Sequence, residues 1–479
     1  MYTSTRKKIS VHASEAILKG LSDEGGLFVL DTYDDTFYER ASFKSYQHLA
    51  NDVFSYFLDD FTSDMVSSIV EKSYGNQFQP HMYTMHTHED VSFLNLYHGP
   101  TFAFKDIALQ ALPHMLTYSR HIQNVRGKTI IVTATSGDTG SAALAGFSQL
   151  EDVLMIVLYP KSGVSPFQER QMNQYQSHSC FIYGIDGNFD DCQRIVKDVL
   201  KHVKLNHVRV SSANSINIGR IISQVVYYMH AYKSLVTDGV IKEGDLLDII
   251  VPSGNFGNIY AAYLAKKLGT PLGHLVVASN KNNTLTKLFN TNTYQVNQKL
   301  FQTMSPSMDI LVSSNVERYV YDVIKDPMKV KTIYETFDQE KVVTLDQLNH
   351  LQDFIAYETS EEETKYAIQM CFMHTKKLID PHTAVAYHVY LKQHQTSHHT
   401  MIVSTASPYK FSEHVLNSLN QHSYPQIGDN IDALKAYDQQ PMDTRIETVL
   451  TASSKEMVLS LEAAYHTIKK VMESYDSSH

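Results

Sequence analysis

The sequence contains no tryptophan and only three cysteines in 479 residues. Cys180, Cys192 and Cys371 do not have the spacing of a CxxC motif, so they indicate neither a disulfide framework nor a zinc site, and a reducing compartment is the simpler expectation. No apolar run approaches the roughly 18 residues that a membrane span needs, and the opening residues lack the hydrophobic segment of a secretion signal. We therefore expect a cytoplasmic protein with no membrane partner.

The chain also lacks an excess of positive charge. Its 41 basic and 51 acidic residues give a net charge of −10, and no dense basic run is present, which argues against a nucleic-acid partner. The 30 tyrosines are scattered, as is typical of cores and interfaces rather than of a surface that stacks on bases. We predict no metal site, because the histidine clusters lie in polar connecting segments that read as exposed loops: His81, His86, His88 and His394, His398, His399.

What the sequence does contain is an alternation of short apolar runs and helix-like segments. This pattern predicts an α/β fold with mostly parallel, twisted sheets flanked by helices, and with ligands at the carboxyl ends of the strands. The candidate strands are residues 93–97, 129–133, 153–159, 180–184, 207–211, 247–251, 274–279 and 400–404.

One lysine has an unusual position in this pattern. Lys105 follows a Gly-Pro turn and begins an apolar-periodic run that predicts one helical face made of Phe104, Ile107, Ala108, Leu112 and Met115. Partial burial and the positive end of a helix both disfavour the ammonium form, so this amine would be a better nucleophile than a surface lysine and would suit a Schiff base with a carbonyl cofactor. Taken alone, the segment also fits a lysine that extends from a core helix towards solvent.

Two other segments each place a glycine-rich loop between a strand and a helix. The loop at 134–140 follows one apolar run, and the loop at 252–258 follows another. Such loops offer backbone N–H groups and a helix N-terminus to an anion, although each is also compatible with a plain tight turn. Neither contains the lysine of a nucleotide-binding phosphate loop.

Polar residues follow two further strands. Asn214, Ser215 and Arg220 come after the strand at 207–211, where an arginine fork and neutral hydrogen bonds could clamp a phosphate, or where the asparagine and serine could only cap a helix. Thr405 follows the strand at 400–404, and its hydroxyl could meet a pyridine nitrogen as a neutral partner.

The order of these motifs resembles the threonine synthase family. The segments that carry the resemblance are, in order, HGPTFAFKD, ATSGDTGSAA, ANSINIGR, VPSGNFGN, SPSMDILVSSNVER at 305–318, IDPHTAVA at 379–386 and STASPYKF. Residues 4–6 and 13–28 are similar to the longer branch of that family, which is found in many bacteria and in fungi.

The resemblance implies a two-lobed pyridoxal-phosphate enzyme of fold type II. We expect a mainly helical N-terminal region at 1–95, a smaller α/β lobe at 96–235 and a larger α/β lobe at 236–479. The implied activity converts O-phospho-L-homoserine and water into L-threonine and phosphate, by γ-elimination and β-addition of water. We expect a monomer or a homodimer.

The resemblance also implies the role of each candidate residue. Lys105 matches the Schiff-base lysine and general base, Thr405 matches the partner of the pyridine nitrogen, and Asp138 stands where shorter relatives carry asparagine beside the phenolic oxygen. The cofactor-phosphate loop is Gly254, Asn255, Phe256, Gly257 and Asn258. Substrate binding falls to Thr135, Ser136, Thr139, Asn214, Ser215 and Arg220.

Two other functions remain open at this point. One is a different enzyme on the same scaffold, either a phosphohomoserine phospholyase that releases 2-oxobutyrate or a cysteate-forming relative that uses sulfite, and only the product distinguishes these. A non-catalytic pyridoxal-phosphate-binding protein is disfavoured because Lys105, Asn255, Arg220 and Thr405 are all intact.

Overall fold

A computed structural model describes residues 1–205, 207–211, 215–296, 299–345, 353–392, 396–438, 442–452 and 456–477. Its strands are β1 Tyr2–Ser4, β2 Lys7–Val11, β3 Phe28–Leu30, β4 Thr84–His88, β5 Val91–Asn95, β6 Lys128–Ala134, β7 Val153–Pro160, β8 Cys180–Asp186, β9 Val208–Ser211, β10 Leu247–Pro252, β11 Leu272–Ser279, β12 Thr293–Gln295, β13 Val342–Thr344, β14 Phe354–Glu358, β15 His399–Ser404 and β16 Val458–Ser460.

The helices alternate with these strands along most of the chain. They are α1 Ala13–Lys19, α2 Phe37–Arg40, α3 Tyr46–Phe57, α4 Ser63–Ser73, α5 Lys105–Ile122, α6 Asp138–Phe147, α7 Pro166–Asn173, α8 Phe189–His202, α9 Ile218–Thr237, α10 Gly257–Lys267, α11 Thr284–Thr291, α12 Val316–Ile324, α13 Pro327–Glu340, α14 Glu361–Thr375, α15 Pro381–Lys392, α16 Ser412–Ser418, α17 Ile427–Lys435, α18 Arg445–Thr451 and α19 Leu461–Ser477. Short 3-10 helices lie at Pro306–Met308 and Pro408–Phe411.

Two sheets form the framework. The larger has six strands in the order β14-β11-β10-β15-β5-β4, and all of its pairs are parallel except β4 with β5. The smaller has five parallel strands in the order β16-β8-β7-β6-β9. Every residue of β7 and of β10 is buried, as is typical of parallel strands with helices on both faces.

All eight strands expected from the sequence are present, and the fold class is confirmed. Sequence patterns missed β4, β12, β13, β14 and β16. They also missed a small sheet of β1, β2 and β3 in the N-terminal region, which the sequence predicts as mainly helical. These strands are only three to five residues long, too short for a clear period-two pattern.

The division into lobes at residues 95 and 235 stays a prediction, and the sheets exchange chain segments across it. The strands β4 and β5 precede residue 96 yet pair with the larger sheet. The strand β16 comes near the end of the chain yet pairs with β8 of the smaller sheet.

Helix α9 lies at the centre of the molecule. Fifteen of its 20 residues are buried, because it packs against α3, α5 and α10 at once. A helix that is apolar on most sides is expected in such a core position. It fixes the relative placement of α5 and α10, whose N-termini carry the predicted lysine and the predicted anion loop.

Among the described residues, no helix has both the length and the apolar character needed to cross a membrane. The three cysteines are buried and unpaired with one another, which agrees with the absence of a disulfide framework.

Gly146 allows α5 and α6 to approach closely, which gives a test of the packing. A methyl group added there would lie 1.9 Å from the carbonyl oxygen of Leu109. We expect Gly146→Ala to lower the melting temperature, since overpacking of a tight contact costs about 1–3 kcal/mol. Gly428→Ala in α17 is the matched control, because an added methyl group meets nothing within 4 Å. Equal melting temperatures for the two variants would contradict the packing described.

Candidate active site

The chain around Lys105 is fixed against the end of β15. Lys105 is buried and is the first residue of α5. The N–H of Phe104 donates to the carbonyl oxygen of Thr405 at 2.8 Å, and Ala103 forms an isolated antiparallel bridge with Ala406. Lys105 and Thr405 are therefore held together at the carboxyl end of β15, which is where the sequence analysis expects ligands to bind.

The Lys105 amine has the altered acidity that its position predicts. Burial lowers its pKa to about 8, and the positive charges of Arg220 and Lys410 act in the same direction. Asp138 opposes them, because its negative charge raises the pKa of the amine. A substantial fraction of the amine is consequently neutral, and therefore nucleophilic, at a mildly alkaline pH.

The glycine-rich loop after β10 faces this lysine. Its backbone takes a left-handed conformation at Phe256, with φ of 63°, where α10 begins. The Phe256 ring packs among Phe289, Tyr319 and Phe354 at centroid distances of 5.0–6.3 Å. These ring contacts hold a conformation that side chains with a Cβ otherwise disfavour.

Hydrogen bonds fix the loop from outside the cavity. The Ser313 hydroxyl donates to the carbonyl oxygen of Gly254 at 2.8 Å, and the Asn315 side chain donates to that of Asn255 at 2.9 Å. With these carbonyl groups bound on the outer side, the loop offers the amide groups at the N-terminus of α10, which have no intrahelical acceptor.

Asn258 extends the same polar surface. Its Oδ1 accepts from the hydroxyls of Tyr227 and Tyr228 at 2.5 and 2.6 Å, which fixes the orientation of the amide. Its Nδ2 is buried and has no hydrogen-bond partner among the described residues. A buried donor of this kind is costly unless a ligand accepts from it.

Asp138, the first residue of α6, is almost completely buried and has three polar partners. Its Oδ1 lies 2.7 Å from Lys410 Nζ and accepts from Gln168 at 2.8 Å, and its Oδ2 accepts from the Ser307 hydroxyl at 3.0 Å. Burial alone would raise the pKa of this carboxyl. The positive charges of Lys410 and Lys105 outweigh burial and hold its pKa well below the usual range.

Lys410 is a site residue that sequence patterns missed. Its side chain has no exposed surface, and its Nζ also donates to the carbonyl oxygen of Thr101 at 2.7 Å. It thereby links α6 to the turn that leads into Lys105. The only signal in the sequence was a lone lysine inside the segment STASPYKF.

His382 and Ser307 complete this wall. The backbone N–H of Ser307 donates to His382 Nε2 at 3.1 Å, and His382 Nδ1 lies 2.6 Å from Asp380 Oδ2. Because Nε2 is an acceptor, the network assigns the imidazole proton to Nδ1. Asp380 thus orients His382, and His382 orients the backbone beside Asp138.

Arg220, Ser215 and Thr139 lie on the remaining side of the cavity. Arg220 is only 4% exposed, and burial lowers its pKa to about 10, so it stays positively charged at neutral pH. An arginine in a low-dielectric cavity interacts strongly with an anion.

Two other predicted substrate residues are not among those that line the cavity. Thr135 is buried, and its hydroxyl oxygen accepts from the amides of Gly137 and Gly140 at 3.0 and 2.8 Å, which closes the loop on itself. Ser136 is half-buried in the same loop. Asn214 lies outside the described residues.

Most of the predicted site residues therefore line one cavity. Those from the prediction are Lys105, Asp138, Thr139, Ser215, Arg220, Gly254, Asn255, Phe256, Gly257, Asn258 and Thr405. Those that the prediction did not include are Phe104, Gln224, Pro252, Ser253, Ser307, Met308 and His382.

Comparisons with known proteins agree with this geometry. Residues 85–405 match the family of pyridoxal-phosphate dependent enzymes, and residues 1–74 match the threonine synthase N terminus. Threonine synthase from Schizosaccharomyces pombe is 34% identical over 88% of this chain and 90% of its own length. The chain belongs to the threonine synthase family of pyridoxal-phosphate-dependent enzymes.

Solved structures of this family have the same fold. The crystal structure of threonine synthase from yeast aligns with a TM-score of 0.86 at 30% identity and covers 99% of both chains. The pyridoxal-phosphate-bound threonine synthase from Brucella melitensis aligns with a TM-score of 0.85 at 28% identity, over 98% of this chain and 99% of that one.

The residues present fit the cofactor of this family. Asn258 Nδ2 needs an acceptor, which a cofactor phosphate could supply. A side chain at Gly254 would place its Cβ 3.1 Å from both the Ser307 carbonyl oxygen and Met308 Cα, so a larger residue would push that segment away by a few tenths of an ångström. Lys105 is a buried amine of lowered pKa in the same cavity, which fits a cofactor that carries a carbonyl group.

The buried pair of Asp138 and Lys410 gives a second test. We expect Lys410→Met to destabilise the protein by about 3–5 kcal/mol, because it leaves a buried carboxylate without its charge partner. The double variant Asp138→Asn, Lys410→Met should recover much of that loss. Urea denaturation of the purified proteins measures the free energy of unfolding of each variant.

Lys161→Met is the control for removing a lysine from an ion pair. Its partners Glu169 and Glu456 lie at the surface, where such pairs contribute about 0–1 kcal/mol. Losses of similar size for Lys161→Met and Lys410→Met would contradict the role given to the buried pair.

Proposed function

We propose that this protein converts O-phospho-L-homoserine and water into L-threonine and phosphate, with pyridoxal phosphate bound covalently to Lys105. The observation that supports this most directly is the convergence, in one cavity, of a buried lysine of lowered pKa, an anion loop and a second buried cation, Arg220. A substrate with both a carboxylate and a phosphate needs more than one anion site besides that of the cofactor.

The loop 254–258 binds the cofactor phosphate in this proposal. Its backbone amides and the N-terminus of α10 attract the dianion, and Asn258 Nδ2 adds one hydrogen bond. The Thr405 hydroxyl, which lines the same cavity, would be the neutral partner of the pyridine nitrogen. When bound, pyridoxal phosphate supplies the electron sink that makes a proton on the substrate α-carbon acidic.

Lys105 is the general base. With cofactor and substrate bound, its amine would be the group that accepts the proton from the substrate α-carbon. Burial and the charges of Arg220 and Lys410 favour its neutral form, which is the form that accepts a proton.

Arg220, Ser215 and Thr139 bind the anionic groups of the substrate, together with Asn214, Thr135 and Ser136 as the sequence predicts. Departure of phosphate from the γ-carbon builds negative charge, and a buried arginine stabilises it at low reorganisation cost. The contacts that Thr135 makes to Gly137 and Gly140 support an indirect contribution, in which it shapes the loop that presents Thr139.

Asp138 keeps its assignment beside the phenolic oxygen of the cofactor. A carboxylate near that oxygen would repel a second negative charge, whereas the neutral asparagine of shorter relatives would not. Lys410, at 2.7 Å, compensates this charge within the site. The proposal therefore treats Asp138 and Lys410 as one unit.

The product decides between this function and that of a phospholyase. The purified protein is incubated with pyridoxal phosphate and O-phospho-L-homoserine, and phosphate, threonine and 2-oxobutyrate are quantified together. We expect equal amounts of phosphate and threonine. Lys105→Ala should lower the rate at least about 10²–10⁴-fold, the typical contribution of a general base. Phosphate with 2-oxobutyrate would make the protein a lyase, and a folded, cofactor-loaded protein without turnover would contradict both.

The acidity of Lys105 predicts how cofactor capture depends on pH. Only the neutral amine attacks a carbonyl, so the capture rate of cofactor-free protein should rise as pH increases and level off above the pKa of about 8. Asp138→Asn should move this midpoint to lower pH, because Asp138 raises the pKa of Lys105. The absorbance change on covalent capture measures the rate.

A free lysine derivative treated with the same cofactor is the control for titration of the cofactor itself. Its rate should keep rising to about pH 10, the range of an ordinary lysine. If the capture rate of the protein depended on pH in the same way as this control, burial would not be lowering the pKa of Lys105.

We also propose a cytoplasmic location, because three free, buried cysteines fit a reducing compartment. The assembly expected from the family resemblance stays a monomer or a homodimer.

A further inference from the structure

A second polar cluster lies at the amino ends of strands of the larger sheet, whereas the active site lies at the carboxyl ends. Asp248 is the second residue of β10, His274 is the third residue of β11, and His398 immediately precedes β15. These three strands are neighbours, and they run parallel. Their amino ends therefore bring the three side chains together, while the carboxyl ends of β10 and β15 supply the cofactor cavity.

An irregularity in the sheet builds this cluster. Leu247 pairs with Leu272 and Ile249 pairs with Leu275, so Gly273 and His274 both stand opposite Asp248. The bulge directs the backbone N–H of His274 to Asp248 Oδ1 at 2.8 Å. Bulges often redirect a side chain towards a site in this way.

Gly273 is required by the same arrangement. A Cβ there would lie 2.2 Å from Asp248 Oδ1 and 3.0 Å from His398 Nδ1. Any larger residue would displace the carboxylate or the imidazole, so the strand is built around these two groups.

The ligand atoms have the spacing of a metal site. His398 Nδ1 lies 2.9 Å from Asp248 Oδ1, His274 Nδ1 lies 3.1 Å from Asp248 Oδ2, and the three ligand atoms lie within 4.8 Å of one another. A tetrahedral zinc ion with nitrogen and oxygen ligands at about 2.0–2.2 Å keeps neighbouring ligand atoms roughly 3.3–3.6 Å apart, so the side chains need to separate by only about half an ångström to admit it. Two imidazoles with one carboxylate are a common zinc set, which leaves one position for water.

Burial and access suit an ion that arrives from solvent. The Asp248 side chain has no exposed surface, whereas those of His274 and His398 are 45% and 30% exposed. The carboxylate is thus fixed in the sheet, and the imidazoles form the entrance. Lys266 brings one positive charge near Asp248, but its Nζ donates to the Gly273 carbonyl oxygen at 2.7 Å.

We propose that Asp248, His274 and His398 bind one divalent transition-metal ion, with Zn²⁺ as the best match, at the amino ends of β10, β11 and β15. The ion ties three strands of the larger sheet together and takes no part in the chemistry at their other ends. This inference replaces the sequence-based expectation of no metal site, which placed His398 in an exposed loop and did not include Asp248 or His274.

Zinc titration of the tag-free holoenzyme, after chelator treatment and dialysis, tests the proposal. We expect one equivalent to bind at micromolar free zinc and to raise the melting temperature. His274→Ala and His398→Ala should each weaken binding at least about tenfold, since even the loss of an outer partner of a ligand costs about 10–100-fold. Cobalt should give a visible absorption band with the native protein and not with either variant.

His178→Ala, which removes an exposed histidine from a loop, is the matched control and should bind zinc as the native protein does. The absorbance of bound cofactor reports that each variant is folded, and enzymatic turnover should be unaffected by His274→Ala. Equal zinc affinity in the two ligand variants and the native protein, or no stoichiometric binding at micromolar zinc, would overturn the proposal. Neither result bears on the reaction at the cofactor cavity.

Discussion

The active site depends on one buried ion pair. Asp138 and Lys410 come from distant parts of the chain, and both are nearly or completely removed from solvent. Desolvation of two charges is expensive, and the additional partners, Gln168, Ser307 and the Thr101 carbonyl group, offset it. The pair thereby fixes α6, the Pro408–Phe411 turn and the approach to Lys105 in one arrangement. A misplacement of any of these would leave a charge uncompensated.

The same pair explains why a lysine can be activated beside a carboxylate. Asp138 alone would raise the pKa of Lys105 and keep it protonated. Lys410 neutralises that influence, and Arg220 adds a positive charge of its own, so burial decides the balance. The acidity of the amine is consequently set by three charges and its desolvation, and not by a single neighbour. This balance distinguishes the site from one built around a neutral asparagine.

Sequence patterns predicted those parts of the site that lie at strand ends. Lys105, the glycine-rich loop and Thr405 each follow or precede a strong apolar run, so their positions follow from local periodicity. Lys410 and His382 could not be placed in the same way, because their contacts join segments far apart in sequence and their surroundings have no distinctive spacing. The cluster of Asp248, His274 and His398 could not be predicted for the same reason, because nothing in the sequence except Gly273 indicates the bulge that brings His274 to Asp248.

Exchange of strands between the sheets has a consequence for how the chain is made. The smaller sheet needs β16 from the last residues, and the larger sheet joins β5 to β15, which is synthesised some three hundred residues later. Neither sheet can be completed until most of the chain has been synthesised. In many proteins, by contrast, the N-terminal domain folds first, during synthesis. The early strands β4 and β5 must wait for β15, and the waiting edge belongs to β5, whose residues Val91–Asn95 are mostly apolar and are all buried in the finished sheet. An apolar strand edge of this kind can associate with another nascent chain, so β5 carries that risk until β15 emerges.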